Sequence, residues 1–270
     1  MQNMLGCGGL MKNALLVPCV FFLSFLAAVL FFSFFGALAL HYESTVFTSA
    51  SPFFLLLCMA RRCCVMLPIA AMAAVIGVYA FLMRYRTKLI VAVSLLFVCL
   101  IFTITVIMPV CYAQVSLIEG AMAKLQPLPA ADKAVAAFLN KPFFLAVLTR
   151  SVHVLFTALY GIYTTDFLAY LVFACALFFF IGSFWIACIA TRWNMLNLLL
   201  LFLLTGGFLF LYPYMQQEMF QSVLFNLHLD LERNKLGIPL TLCVAALILH
   251  TAGALKVLLN SVKNKKRRAS

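Results

Sequence analysis

The sequence predicts an all-α, multi-pass transmembrane helical bundle of six spans, and three observations predict it. First, 66% of the 270 residues are hydrophobic and 10% are charged, whereas a soluble domain carries about 25% charged residues. With a mean hydropathy of +1.13, the chain cannot build a water-facing surface. Second, the apolar residues come in blocks of about 20 or more, the helix length that crosses a bilayer core at 1.5 Å per residue. Third, these blocks lack the strict alternation that a membrane β-barrel requires.

The first block, residues 14–40, follows Lys12 and ends near Ala37-Leu38-Ala39, which resembles a signal-peptidase site. A signal core is only about 7–15 residues long, so an uncleaved anchor is predicted. The second and third blocks, 63–83 and 89–111, are joined by the short basic loop Arg84-Tyr85-Arg86-Thr87-Lys88. Residues 51–62 form either an interfacial cap or an outward extension of the second span, with Arg61 and Arg62 snorkelling to the headgroups. Residues 112–166 form an outer interfacial segment, with a short helix starting near Pro129 and a stop before Pro142. Blocks 167–190 and 195–214 flank Arg192, and block 236–259 precedes a basic tail, 260–270. One integral membrane domain accounts for the whole chain.

Residues 142–163 compete as a seventh span. Their polar residues Thr149, His153 and Thr157 recur every four positions with Arg150 alongside, which draws one polar stripe on an apolar helix. Such a helix lies in the interface or lines a wet cavity. Raw totals of basic residues favour seven spans, but short loops carry the orientation signal best. The loop at 84–88, with Lys12, favours six.

Six spans place Lys12, the 84–88 loop, Arg192 and the tail on one side, so both termini are expected in the cytoplasm and the chain in the cell membrane. The net charge of +12 is then an orientation signal, and no nucleic-acid partner is expected. The expected partners are membrane lipid, a membrane protein, and anionic headgroups at the tail, at about 1 kcal/mol per basic residue near the surface.

The chemistry-bearing candidates are few. His250 falls near the middle of the last span, where an ionisable residue is a functional candidate by default. Its helical neighbours Cys243, Ala246 and Gly253 are small, as on a packing face, and Thr205 with Gly206 and Gly207 offers it a partner at the centre of the fifth span. Together His250 and Thr205 make a candidate midplane polar site. Arg150 and His153, three apart on a helix, make a candidate anion or headgroup contact. His228, Asp230 and Glu232 would converge on a metal only if their segment were a strand. The same segment also fits an amphipathic helix, and no metal site is predicted. The ten cysteines show no CxxC or zinc spacing. Cys58, Cys63, Cys64 and Cys111 fall near one membrane face, where a disulfide is open to them.

No phosphate loop, dinucleotide fingerprint, HExxH or GxSxG occurs. No catalytic set and no cofactor follow. Three classes of function remain: a non-enzymatic membrane component of an envelope or transport assembly, a transporter or channel using His250 and Thr205, and a membrane enzyme acting on a lipid-linked substrate.

Overall fold

The computed structural model describes residues 13–43, 52–85, 89–125, 144–191, 193–215 and 237–269. Among them there is no strand. The helices are α1 (Val17–Glu43), α2 (Pro52–Arg84), α3 (Leu89–Phe102), a π-helical turn (Thr103–Ile107), α4 (Met108–Leu125), α5 (Phe144–Thr165), α6 (Phe167–Gly182), α7 (Trp185–Cys188), α8 (Asn194–Met215) and α9 (Gly237–Ala269). Among the described residues, six stretches are long and apolar enough to cross a membrane: Asn13–Phe34, Leu56–Arg84, Ile90–Lys124, Phe167–Cys188, Asn194–Met215 and Gly237–Leu259. The protein is a multi-pass membrane protein with the predicted all-α bundle fold.

The second and fourth spans form the centre, with 61% and 56% of their most apolar 18 residues buried, against 17% for the first and last. Ala70, Ala71 and Ala74 on α2 are fully buried. α1 lies so close to α2 that a Cβ on Gly77 would meet Ser24 Oγ at 2.5 Å. Lipid tails are as apolar as leucine, so contact of this kind, rather than expulsion from water, holds helices together in a membrane. Leu30, Phe31, Ile90, Leu203, Leu247 and Ile248 are exposed at the perimeter, an apolar girdle suited to hydrocarbon and not to water.

Two boundaries differ from the sequence expectation, and a third falls on one of its two alternatives. α2 starts at Pro52, so residues 52–62 extend the second span outward, the alternative to a separate cap. α3, the π-helical turn and α4 make one rod from Leu89 to Leu125. At 1.5 Å per residue the rod is about 55 Å long, against a hydrocarbon core of about 30 Å. α9 runs to Ala269, which joins the last span and the basic tail in a single helix. The predicted Pro129 helix and the His228, Asp230, Glu232 set lie outside the described residues.

The place of α5 follows from its contacts along the rod. Phe156, Tyr160 and Tyr163 set their rings 5.6, 5.9 and 5.7 Å from Tyr112. Tyr163 Oη donates to the Pro109 carbonyl at 3.3 Å. Further down, Tyr170 of α6 reaches Ile104, and Gly182 at the end of α6 faces Phe97. α5 is therefore stacked on the end of α6, whereas a seventh span would lie beside it. The bend is Asp166, extended at φ −153° and ψ 106°, whose carboxylate accepts from the N–H groups of Leu168 and Ala169 and caps α6. Val152, Leu155, Phe156 and Leu159 of α5 are buried, while Arg150 and Thr157 are exposed. Of the predicted polar stripe, His153 is half-buried and the side chain of Thr149 lies outside the described residues.

Candidate functional site

His250 lies on α9, which packs on α6 and α7. Trp185 Nε1 donates to His250 Nδ1 at 2.9 Å, and the Phe179 ring sits 5.0 Å from the imidazole. An indole N–H only donates, so Nδ1 must accept and the single ring proton sits on Nε2. The bond selects a neutral imidazole, because an imidazolium would set one N–H against another. Nε2 is buried with no partner among the described residues.

Thr205 is buried, and its hydroxyl donates to the Leu201 carbonyl of its own helix at 2.9 Å. The two halves of the expected midplane site are thus not hydrogen-bonded to each other. The reason is local. α6 stops at Gly182, and the break at Ser183 and Phe184 starts α7 at Trp185. Gly253 leaves the indole its space, since a Cβ there would stand 2.7 Å from Trp185 Cζ2. Further along α9, Lys256 Nζ donates to the Ala190 carbonyl at 2.8 Å. Asn197 ties the same turn, accepting from Thr191 and donating to the carbonyls of Cys188 and Thr191.

A second polar group sits at the opposite end of the bundle. Arg61 Nε meets Glu119 Oε1 at 2.9 Å, linking α2 to α4. Helical side chains lean toward the N-terminus, so on these antiparallel helices Arg61 leans outward and Glu119 inward, which closes the gap between their backbones. Arg62 is half-buried and makes no hydrogen bond or ion pair with a described residue. Cys64 Sγ lies 3.6 Å from the Cys111 carbonyl. Cys58, Cys63, Cys64 and Cys111 are all free thiols. Of the predicted anion contact, Arg150 is exposed and His153 is half-buried within the electrostatic reach of Arg61.

Burial, reinforced by the charge of Arg61, holds the His153 pKa below its ordinary value. The unfolded chain therefore takes up the proton first. Stability linked to His153 is full above about pH 6.5 and is lost as pH falls below that value toward the depressed folded pKa. Thermal unfolding in detergent, followed from about pH 7 to pH 5, is expected to show a shallower loss for His153→Gln. Equal slopes would mean that His153 is solvated.

Sequence reasoning missed Trp185, Glu119, Asn197 and Asp166 as the residues that fix these groups. Among the described residues, no group of three His, Cys, Asp or Glu side chains is placed to hold a metal ion. Comparison with protein families, with curated proteins and with solved structures gives no match to this chain.

Proposed function

We propose that the chain is a non-enzymatic membrane component of an envelope or transport assembly, seated in the cell membrane with both termini in the cytoplasm. An outer ledge made by the start of α2, by α4 and by α5 is the face offered to a membrane-protein partner. The observation that carries this is the length of the rod: α4 continues well past one bilayer thickness and exposes Leu117 there, while the start of α2 exposes Phe53 and Leu56. An extension of that kind serves no purpose in crossing lipid, and its apolar side chains suit a protein surface.

Orientation is supported by the inner turns. Asn194 Nδ2 donates to the Met83 carbonyl at 3.4 Å, and Lys256 bonds Ala190. The Arg84 end of α2, the turn after α7 and the part of α9 that leads to the basic tail are thereby gathered on one side, as cytoplasmic faces are. Reporter fusions after Lys133 and after Asp166 are both expected to read as external, and a C-terminal reporter as cytoplasmic. A cytoplasmic result at Lys133 with an external one at Asp166 would restore seven spans.

A transporter reading keeps one observation, the partnerless Nε2 of His250, with the candidate midplane site at His250 and Thr205. His250→Gln separates the two, because a glutamine oxygen can still accept from the Trp185 indole. An assembly component is expected to keep its partner in that variant and to lose it in Leu117→Glu. A transporter would lose flux in His250→Gln while remaining folded.

A further inference from the structure

We infer that Arg61 and Arg62 on α2, with Arg150 and His153 on α5, form a binding site for the phosphate of an anionic phospholipid in the leaflet beneath the ledge. The inference rests on the six-span topology and is independent of any protein partner.

Depth comes first. Arg62 and Arg84 lie on one helix, 22 residues apart, which is about 33 Å at 1.5 Å per residue. The hydrocarbon core is about 30 Å thick, so with Arg84 in one headgroup layer Arg62 stands in the other. The rod agrees: Pro109 is 20 residues from Leu89, about 30 Å by the same rise.

Charge comes second. Glu119 touches Arg61 through Nε alone, leaving the terminal guanidinium nitrogens of Arg61 without an acceptor among the described residues. The other carboxylate near this level, Asp166, is taken up in capping α6. Among the described side chains Arg61 and Arg62, with Arg150 one helical turn from His153 on α5, are therefore set against one available carboxylate. A half-buried guanidinium such as Arg62 at the edge of hydrocarbon requires an anion to offset its lost hydration. Guanidinium forks match phosphate oxygens two at a time. A lipid phosphate is the anion that this depth supplies continuously.

The test uses the purified full chain in non-ionic detergent. The background is a tail variant, Lys265→Gln, Lys266→Gln, Arg267→Gln and Arg268→Gln, which removes headgroup binding by the tail. Native mass spectrometry is run against phosphatidylglycerol, phosphatidylcholine and inorganic phosphate. One retained phosphatidylglycerol is expected, bound about tenfold more tightly than phosphatidylcholine. Arg61→Gln with Arg62→Gln is expected to remove that tenfold preference. Arg62→Gln alone spares the Arg61–Glu119 pair and covers the case in which the double variant fails to fold; it is expected to weaken the preference, and Arg62→Lys to keep only part of it. Unchanged retention in the arginine variants overturns the proposal, as does equal retention of phosphatidylcholine. Displacement of the lipid by an equal concentration of inorganic phosphate overturns the lipid as source and leaves a soluble-anion site. A cytoplasmic reporter after Asp166 would fail the topology without altering these arms.

Discussion

Gly253→Leu is expected to abolish accumulation of the folded protein, the largest effect of any single change considered for this chain. Gly253 is buried on α9, and the atoms nearest its added Cβ are Cζ2, Cη2 and Cε2 of Trp185 at 2.7, 3.0 and 3.3 Å. An indole cannot fold away as a flexible side chain can, and this one is held by its bond to His250. Overpacking a well-fitted contact costs about 1–3 kcal/mol, so Gly253→Ala alone should lower the unfolding midpoint in detergent by several degrees. Leucine adds three more heavy atoms to the same contact. It would push α9 off α6 and α7, taking the His250 and Lys256 bonds with it. Trp185→Phe removes the atoms in the clash, so Gly253→Ala with Trp185→Phe is expected to recover the steric part and retain only the loss of the indole hydrogen bond. The comparison needs fluorescence-detected size exclusion and thermal unfolding of four proteins. Wild-type behaviour in Gly253→Ala would mean that α9 does not rest on Trp185.

The same contact shows where sequence reasoning stops. The spans were legible because hydrocarbon imposes length and composition directly, residue by residue. The packing face of α9 was legible too, since Ala246, His250 and Gly253 recur at helical spacing. The neighbour on that face was not, because periodicity fixes a direction on one helix and says nothing of which helix stands there. Thr205 was a chemically sensible partner, yet its hydroxyl bonds Leu201 of its own helix. The residue that does bond His250, Trp185, sits in a block that reads as continuous from 167 to 190, where Gly182 and Ser183 give only a weak sign of the break. The end of the helix that carries the third span was hidden for a related reason. Polarity returns at Gln114, Ser116 and Glu119 where the bilayer ends, yet the helix continues to Leu125, tied through Glu119 to Arg61. Asp166 was readable without the structure, since an aspartate immediately before an apolar run is an N-cap signature.

Tyr170→Phe is expected to destabilise the bundle by about 1–3 kcal/mol, the cost of leaving a buried acceptor unpaired. Pro109 has no N–H and its ring clashes with the carbonyl of an ordinary preceding turn. The rod widens into the π-helical turn Thr103–Ile107 just before it, and Met108 N–H donates to the Thr103 carbonyl, five residues back. In that register the next donor would belong to residue 109 and the next acceptor is the Ile104 carbonyl. Proline cannot supply the bond, and Tyr170 Oη from α6 donates to Ile104 instead, at 3.0 Å. Thr103 and Thr105 bond back to Cys99 and Ile101, which further favours a bend in the helix at this point.

Pro109→Ala is expected to rescue Tyr170→Phe, because the restored N–H takes the orphaned carbonyl. Pro109→Ala alone should change little, since a carbonyl has two lone pairs and can accept from both donors. Tyr112→Phe is the control. Tyr112 is equally buried, but its hydroxyl has no partner among the described residues, so its removal is expected to be neutral or stabilising. Unfolding midpoints for the four Tyr170 and Pro109 combinations, read as a double-mutant cycle, isolate the coupling. Additive losses, with no recovery in the double variant, would show that the hydroxyl serves α6 packing and not the proline's missing donor. Recovery would show that a proline next to the outer boundary reshaped the rod, and that α6 was held in place by answering for the bond the proline cannot make.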